Sequence, residues 1–172
     1  MSSEKRKVLF LDRDGVVNRE RGEFTWKLED FQINDGVFEA LNIFREHNFE
    51  FIIISNQSGI ARGLYEKSDV EFLHHHLKRA AVAKGISILD IYYCPHHPDS
   101  SRCICRKPDS LLLEKAIARY HVDSEQSRFI GDAERDISAA NKVGLQAIRI
   151  QPNSSLMDIV PLILGAQRGK KS

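Results

Sequence analysis

Short, wholly apolar runs alternate along this chain with longer stretches whose apolar positions recur at helical spacing. Val8 to Leu11 is the first run and stops at Asp-Arg-Asp-Gly, which predicts a buried strand ended by a polar turn. Val37, Ala40, Leu41 and Phe44 then fall on one helical face after Asp35-Gly36, and Phe51 to Ile54 predicts a second strand. Ser68 and Glu71 have capping-box spacing ahead of a helix to about Ala83, and Ile88 to Tyr93 predicts a third strand ending at the first cysteine. Leu111 to Tyr120 reads as a helix and Arg128 to Ile130 as a strand before Gly131-Asp132. The next helix ends at Gly144, followed by a strand over Gln146 to Ile150, a helix over Leu156 to Leu164, and a frayed basic tail from Arg168 to Ser172.

Strands alternating with helices predict an α/β fold: a doubly wound parallel sheet, Rossmann-like, whose ligands bind beyond the carboxyl ends of the strands. Asp12, Ser55, Cys94 and Asp132 each directly follow a predicted strand, so segments distant in sequence converge on one rim. Residues 1–172 are read as a single domain, since that length suffices for one core. Neither Val16 to Gly36 nor Ile60 to Tyr93 is long enough for a large cap, which predicts an open site.

Charge narrows the partners. Lys+Arg number 25 against Asp+Glu 24, a net charge of +1, so no global field draws the chain to nucleic acid or to an anionic membrane. The polar Met1 to Lys7 is not an apolar signal segment, and no run approaches the ~20 apolar residues of a membrane span. A cytoplasmic, monomeric protein acting on a small molecule is the expectation.

The turn Asp12-Arg13-Asp14-Gly15 is extended enough for the two carboxylates to point roughly the same way. One can attack phosphorus while the other, its pKa raised by crowding, carries the proton for the leaving alcohol. The same residues also end ordinary strands, so the turn alone decides little. Ser55, Asn56, Gln57 and Ser58 offer hydroxyl, amide and backbone N–H groups to phosphate oxygens without adding charge. Lys107 supplies a fixed cation, and Asp132 a hard oxygen ligand for Mg²⁺, with Asp136 one helical turn on to orient it. Read alone, Asp132 and Asp136 would simply complement a helix dipole.

Cys94-Pro95-His96 and Cys103-Ile104-Cys105 form C-x-H-x₆-C-x-C, four ligands in a loop over 94–105 and the complement of a closed Cys₃His zinc site. His97 is an alternative to His96. A disulfide would leave one of the three cysteines unpaired. Four protein ligands leave no open position, so the zinc would stiffen the loop that presents Arg106 and Lys107. His74-His75-His76 cannot share one ion, since neighbours on a helix diverge by about 100°, and reads as a solvated helix face. Phe24 and Trp26 receive no role.

Taken in order, Asp12-Arg13-Asp14-Gly15, Ser55-Asn56-Gln57, Lys107 and Gly131-Asp132 resemble the four motifs of the haloacid dehalogenase superfamily. The resemblance implies that Asp12 is the nucleophile and Asp14 the general acid/base. It implies that Ser55 and Lys107 stabilise the phosphoryl group, and that Asp12, the Asp14 backbone carbonyl and Asp132 hold Mg²⁺. Ser55 to Gly63 and Tyr92 to Pro98 are similar to D-glycero-D-manno-heptose 1,7-bisphosphate 7-phosphatases, while the short gap between His96 and Cys103 is closer to the related histidinol-phosphate phosphatases. Recognition would then fall to Glu20, Arg21, Gly22 and Glu23, to Ser55 through Ser58, and to Arg106 on a distal phosphate. The heptose group leads one to expect a basic residue after Asp132 and an aromatic at the end of the first loop, where this chain has Ala133 and Glu23. A phospho-acceptor signalling domain shares the sheet and the aspartate-lysine pair, but lacks use for an acid two residues from the nucleophile or for a zinc loop.

Overall fold

The computed structural model describes residues 4–168. Five parallel strands, β1 (Val8–Leu11), β2 (Glu50–Asn56), β3 (Ile88–Cys94), β4 (Arg128–Gly131) and β5 (Gln146–Arg149), form one sheet in the order β3-β2-β1-β4-β5. Helices α1 (Val37–Glu46), α2 (Lys67–Ala83), α3 (Leu111–Tyr120), α4 (Glu134–Lys142) and α5 (Val160–Arg168) cover it, with 3₁₀ turns at Leu28–Asp30 and Leu156–Ile159.

Alternation within the strands sorts the core onto two faces. Leu9, Leu11, Phe51 and Ile53 pack with the apolar stripes of α1, α2 and α5, while Val8, Phe10, Ile52 and Ile54 pack with α3 and α4. Burial on both faces is why the central strands are continuously apolar rather than alternating.

Strand order reverses at β1. Leu11 pairs with Ile53 on one side and with Ile130 on the other, so the chain leaves β1, β2 and β4 at one edge of the sheet. Asp12 donates its backbone N–H to Ile130 O at 2.9 Å, and Gln57 donates to Cys94 O at 2.7 Å, fastening the starts of the rim loops to neighbouring strands. This switch point is where open α/β sheets bind ligands.

The predicted elements recur with small shifts. β2 extends through Asn56, and β3 includes Cys94 as its last residue. α2 begins earlier than the Ser68/Glu71 pair implies: the capping box is Glu66 with Asp69, whose Oδ2 accepts the Glu66 N–H at 2.8 Å. Ser68 is instead already in the first turn, its hydroxyl directed at Glu66. The expected last helix opens as the 3₁₀ turn before α5. From residue 169 on, the basic tail lies outside the described residues. No inserted cap domain interrupts the fold among the described residues, and no helix there is long and apolar enough to cross a membrane.

Candidate active site

The loops leaving β1, β2 and β4 close around a cavity of about 220 Å³ at the carboxyl edge of the sheet. Lys107 is its deepest cation, with its side chain 1% exposed. Its ammonium lies 2.7 Å from Asp12 Oδ1 and 2.8 Å from Asp136 Oδ1, and donates to Ile54 O at 2.8 Å. Asn56 holds the Lys107 backbone from both sides, donating to its carbonyl and accepting its N–H, each at 3.1 Å. Asn56 therefore spends its amide on placing the lysine rather than facing a ligand, although it borders the cavity.

Asp12, Asp132 and Asp136 bring carboxylate oxygens within 4.8 Å of one another. Burial, partly offset by Lys107, pushes Asp12 up to about 7. Burial and the neighbouring Asp136 push Asp132 up as well, with Arg135 offsetting part of the effect. Asp132 Oδ1 is buried without a hydrogen-bond partner. Crowded carboxylates, a single lysine and an orphaned oxygen fit a hard divalent cation. Asp136 joins the group by another route than helix charge alone, because its other oxygen accepts the Ala133 N–H at 3.1 Å at the start of α4. Gly15 is required here: its φ is +87°, and a Cβ would overlap the Asp132 carboxylate.

Asp14 also borders the cavity but faces a different set of partners. Arg13, fully buried, grips both of its oxygens with Nη2 at 3.0 Å and Nε at 3.2 Å; Asn18 and Gln57 add bonds at 2.9 and 3.0 Å. Burial would raise Asp14, but Arg13, Asn18 and Gln57 outweigh it and hold the carboxyl below its usual range. The raised carboxyl expected at Asp14 is thus found at Asp12. Crowding by a second carboxylate does not raise Asp14 because the Arg13 guanidinium folds back onto its neighbour.

Ser55 is wholly buried beneath this network, and its Oγ accepts from Gln57 Nε2 at 2.8 Å. Gln57 Oε1 in turn accepts the Tyr65 hydroxyl at 3.0 Å. Ser58, Glu20 and Glu23 border the cavity. Arg21 and Gly22 do not: Arg21 pairs with Asp30 at 3.1 Å, and Gly22 donates its N–H to Glu20 Oε1 at 2.7 Å. A four-residue loop segment cannot turn every side chain inward, and Asn153 fixes which do by bonding the backbone of Glu20 at both its N–H and C=O, at 2.7 and 2.9 Å.

The thiols of Cys94, Cys103 and Cys105 and His96 Nδ1 also gather within 4.8 Å. Their separations of 3.1 to 3.7 Å compare with about 3.8 Å between tetrahedral vertices for Zn–S bonds of about 2.3 Å. No disulfide joins the three cysteines. Burial raises Cys94 and Cys105. Burial acts the same way on Cys103, but backbone N–H groups of Arg106 and Cys105 outweigh it and lower that thiol. The donor set and spacing fit zinc. His97 turns elsewhere, with Nδ1 accepting the Asp99 N–H at 3.2 Å.

A HAD-hydrolase-like family model matches residues 104–155. Over 151 residues the chain is 40% identical to the D-glycero-alpha-D-manno-heptose-1,7-bisphosphate 7-phosphatase of Photorhabdus laumondii, covering 84% of this chain and 82% of that one. The chain belongs to the D-glycero-D-manno-heptose-1,7-bisphosphate 7-phosphatase family of the haloacid dehalogenase superfamily. A Campylobacter jejuni relative named for the same alpha-anomer activity is 42% identical over 135 residues, covering 78% of this chain and 76% of that protein. The crystal structure of the D,D-heptose 1,7-bisphosphate phosphatase from B. bronchiseptica, complexed with magnesium and phosphate, superposes with a TM-score of 0.79 at 32% identity, covering 85% of this chain and 81% of that one.

Ala133 and Glu23 leave unfilled the basic and aromatic positions expected of the heptose-bisphosphate phosphatase family, yet the cavity wall contains Arg135 and Phe24. Each sits close by along the chain, and only the path of the loop and the phase of α4 reveal it. Trp26 stacks on Tyr65 with ring centroids 6.0 Å apart, bracing the same loop. His74 does not share the solvated face expected of the three histidines. It is 7% exposed and faces inward, with Nε2 3.5 Å from Arg13 Nη1, while His75 and His76 are exposed as expected. Three consecutive histidines on one helix turn must face different ways, and the inward position falls to the first.

Proposed function

We propose that this chain is a magnesium-dependent phosphatase, acting as a single domain, that removes the 7-phosphate of D-glycero-D-manno-heptose 1,7-bisphosphate. The observation that carries this reading is the pairing of Asp12 with Lys107 in the cavity wall, with an Asp132 oxygen within 4.8 Å of Asp12, in a chain that is 40% identical to a protein named for that activity.

In the proposed chemistry, an Asp12 oxygen attacks the 7-phosphoryl group in line, the P–O7 bond breaks, and Asp14 delivers a proton to O7. Water then attacks the aspartyl phosphate, Asp14 takes its proton, and orthophosphate leaves with Asp12 regenerated. Lys107 sits where it can offset charge on both Asp12 and the transferring group. Asp14 must exchange one of its four bonds for the leaving oxygen, and an arriving phosphate dianion, a like charge, raises its proton affinity. Asp12, the Asp14 carbonyl and Asp132 would hold Mg²⁺, which when bound neutralises phosphoryl charge. Cys94, His96, Cys103 and Cys105 would hold zinc, keeping Arg106 and Lys107 in place. Arg106 donates Nη1 to His96 O at 3.3 Å, tying it to that loop while it borders the cavity, where it would meet the distal phosphate. A reducing, cytoplasmic setting fits three free thiols.

Histidinol phosphate is the competing substrate, favoured by the six residues between His96 and Cys103. Phosphate release from both anomers of heptose 1,7-bisphosphate, from fructose 1,6-bisphosphate and from histidinol phosphate tests the choice. The highest kcat/KM should belong to one of the heptose anomers; a preference for histidinol phosphate overturns the assignment.

A further inference from the structure

We infer that Arg135 is a specificity-determining residue that shares the non-reacting phosphate of a sugar bisphosphate with Arg106 at the mouth of the cavity. The inference rests on the bisphosphate reading above.

Size argues first. A cavity of about 220 Å³ is below the roughly 300–1,000 Å³ of pockets that enclose drug-sized ligands. With its phosphoryl end seated beside Asp12 and Lys107, a sugar bisphosphate therefore extends to the rim, and its second phosphate emerges among exposed residues.

Charge argues next. Among the described residues, three cations border the cavity: Lys107, Arg106 and Arg135. Lys107 is buried and engaged by Asp12 and Asp136, so it belongs to the reacting end. Arg106 keeps one nitrogen on the His96 carbonyl. Arg135 is exposed and forms no hydrogen bond or ion pair among the described residues. The adjacent acid, Glu134, is turned away to Arg149 at 3.4 Å. A guanidinium without a hydrogen bond or ion pair beside a cavity, three residues after Asp132 in the first turn of α4, has its donors free for a planar, bidentate contact with phosphate. The wall also carries Glu20 and Glu23, which suit sugar hydroxyls and repel a phosphate, so the second phosphate is directed toward the arginines rather than the first loop.

A contact to the non-reacting phosphate is equally strong before and at the transition state, so its loss acts on KM more than on kcat, while the charge that Arg135 brings to Asp132 is lost for bisphosphate and monophosphate alike. The test compares heptose 1,7-bisphosphate with heptose 7-phosphate, which keeps the scissile group and lacks the second phosphate. Arg135→Ala should lower kcat/KM about tenfold more for the bisphosphate than for the monophosphate, chiefly through KM, and Arg135→Lys should restore part of the difference. Because Arg135 is exposed and unpaired, the folded protein is expected from both variants, and a thermal melt checks it. A wild-type preference for the bisphosphate that Arg135→Ala leaves intact overturns the role of Arg135 alone. A wild-type enzyme with no such preference overturns the bisphosphate reading, and this subsite with it.

Discussion

Arg13 lies wholly buried between the two carboxylates of its own turn and clamps Asp14, donating Nη2 to one oxygen at 3.0 Å and Nε to the other at 3.2 Å. A third bond, from Nη2 to Thr25 O at 2.8 Å, ties the loop that borders the cavity to the same guanidinium. One side chain thus fixes both the proposed proton carrier and the proposed recognition loop.

Removing Arg13 leaves the partly buried Asp14 without its cation. Arg13→Met should destabilise the fold by about 3–5 kcal/mol, and kcat should fall even where the variant is held folded at low temperature. Arg13→Lys, a point charge lacking the fork, should recover stability better than turnover. Melts and steady-state rates on the three proteins check this; equal recovery of both would show that the fork has no positioning role.

Asp12→Asn should lower kcat by more than about a thousandfold, since an amide cannot serve as the attacking oxygen. Chelation of Mg²⁺ should likewise suppress wild-type turnover, restored by adding the ion back. Substantial magnesium-dependent activity in Asp12→Asn would put the nucleophile elsewhere.

Zinc removal should reach beyond stability. Cys103 accepts the Arg106 backbone N–H, and Lys107 follows directly, so Cys103→Ser should lower the melting temperature and also raise KM. Metal content by elemental analysis, expected near one zinc per wild-type chain, gives the companion measurement. A zinc-free variant with wild-type kcat and KM would reduce the loop to a bystander.

His74 should make the fold acid-sensitive. Burial and then Arg13 push it down to about 3. Below its unfolded pKa of about 6.5 the unfolded chain binds a proton that the folded chain refuses, so stability falls as pH drops, by about 2 kcal/mol between pH 7 and pH 5. His74→Gln should lose that part of the pH dependence while costing some stability at pH 7. Denaturation midpoints at pH 7 and pH 5 for both proteins provide the comparison, and identical slopes would remove His74 as the cause.

Much of the rim was legible beforehand because buried parallel strands are read from runs such as Val8 to Leu11 and Phe51 to Ile54, and because polar residues after such runs must emerge at one edge. The clustering of the thiols with an imidazole was equally legible where spacing alone restricts it: Cys94, His96, Cys103 and Cys105 are too close along the chain to lie far apart. Arg21 and Gly22 were not, because adjacency in a loop says nothing about which side chains turn toward the cavity.

The sequence by itself determined the order of elements, the positions of the four loops relative to the strands, and the residue types available for phosphoryl transfer and zinc. Tertiary structure alone decided the directions of side chains: that Arg13 closes on Asp14, that burial raises Asp12, that His74 turns in, and that Phe24 and Arg135 stand in the wall. The division has a physical cause. Apolar periodicity is a local property that every segment carries, whereas the phase of a helix and the path of a loop are set by packing against distant neighbours, and charges acquire their final protonation only once those neighbours exclude water.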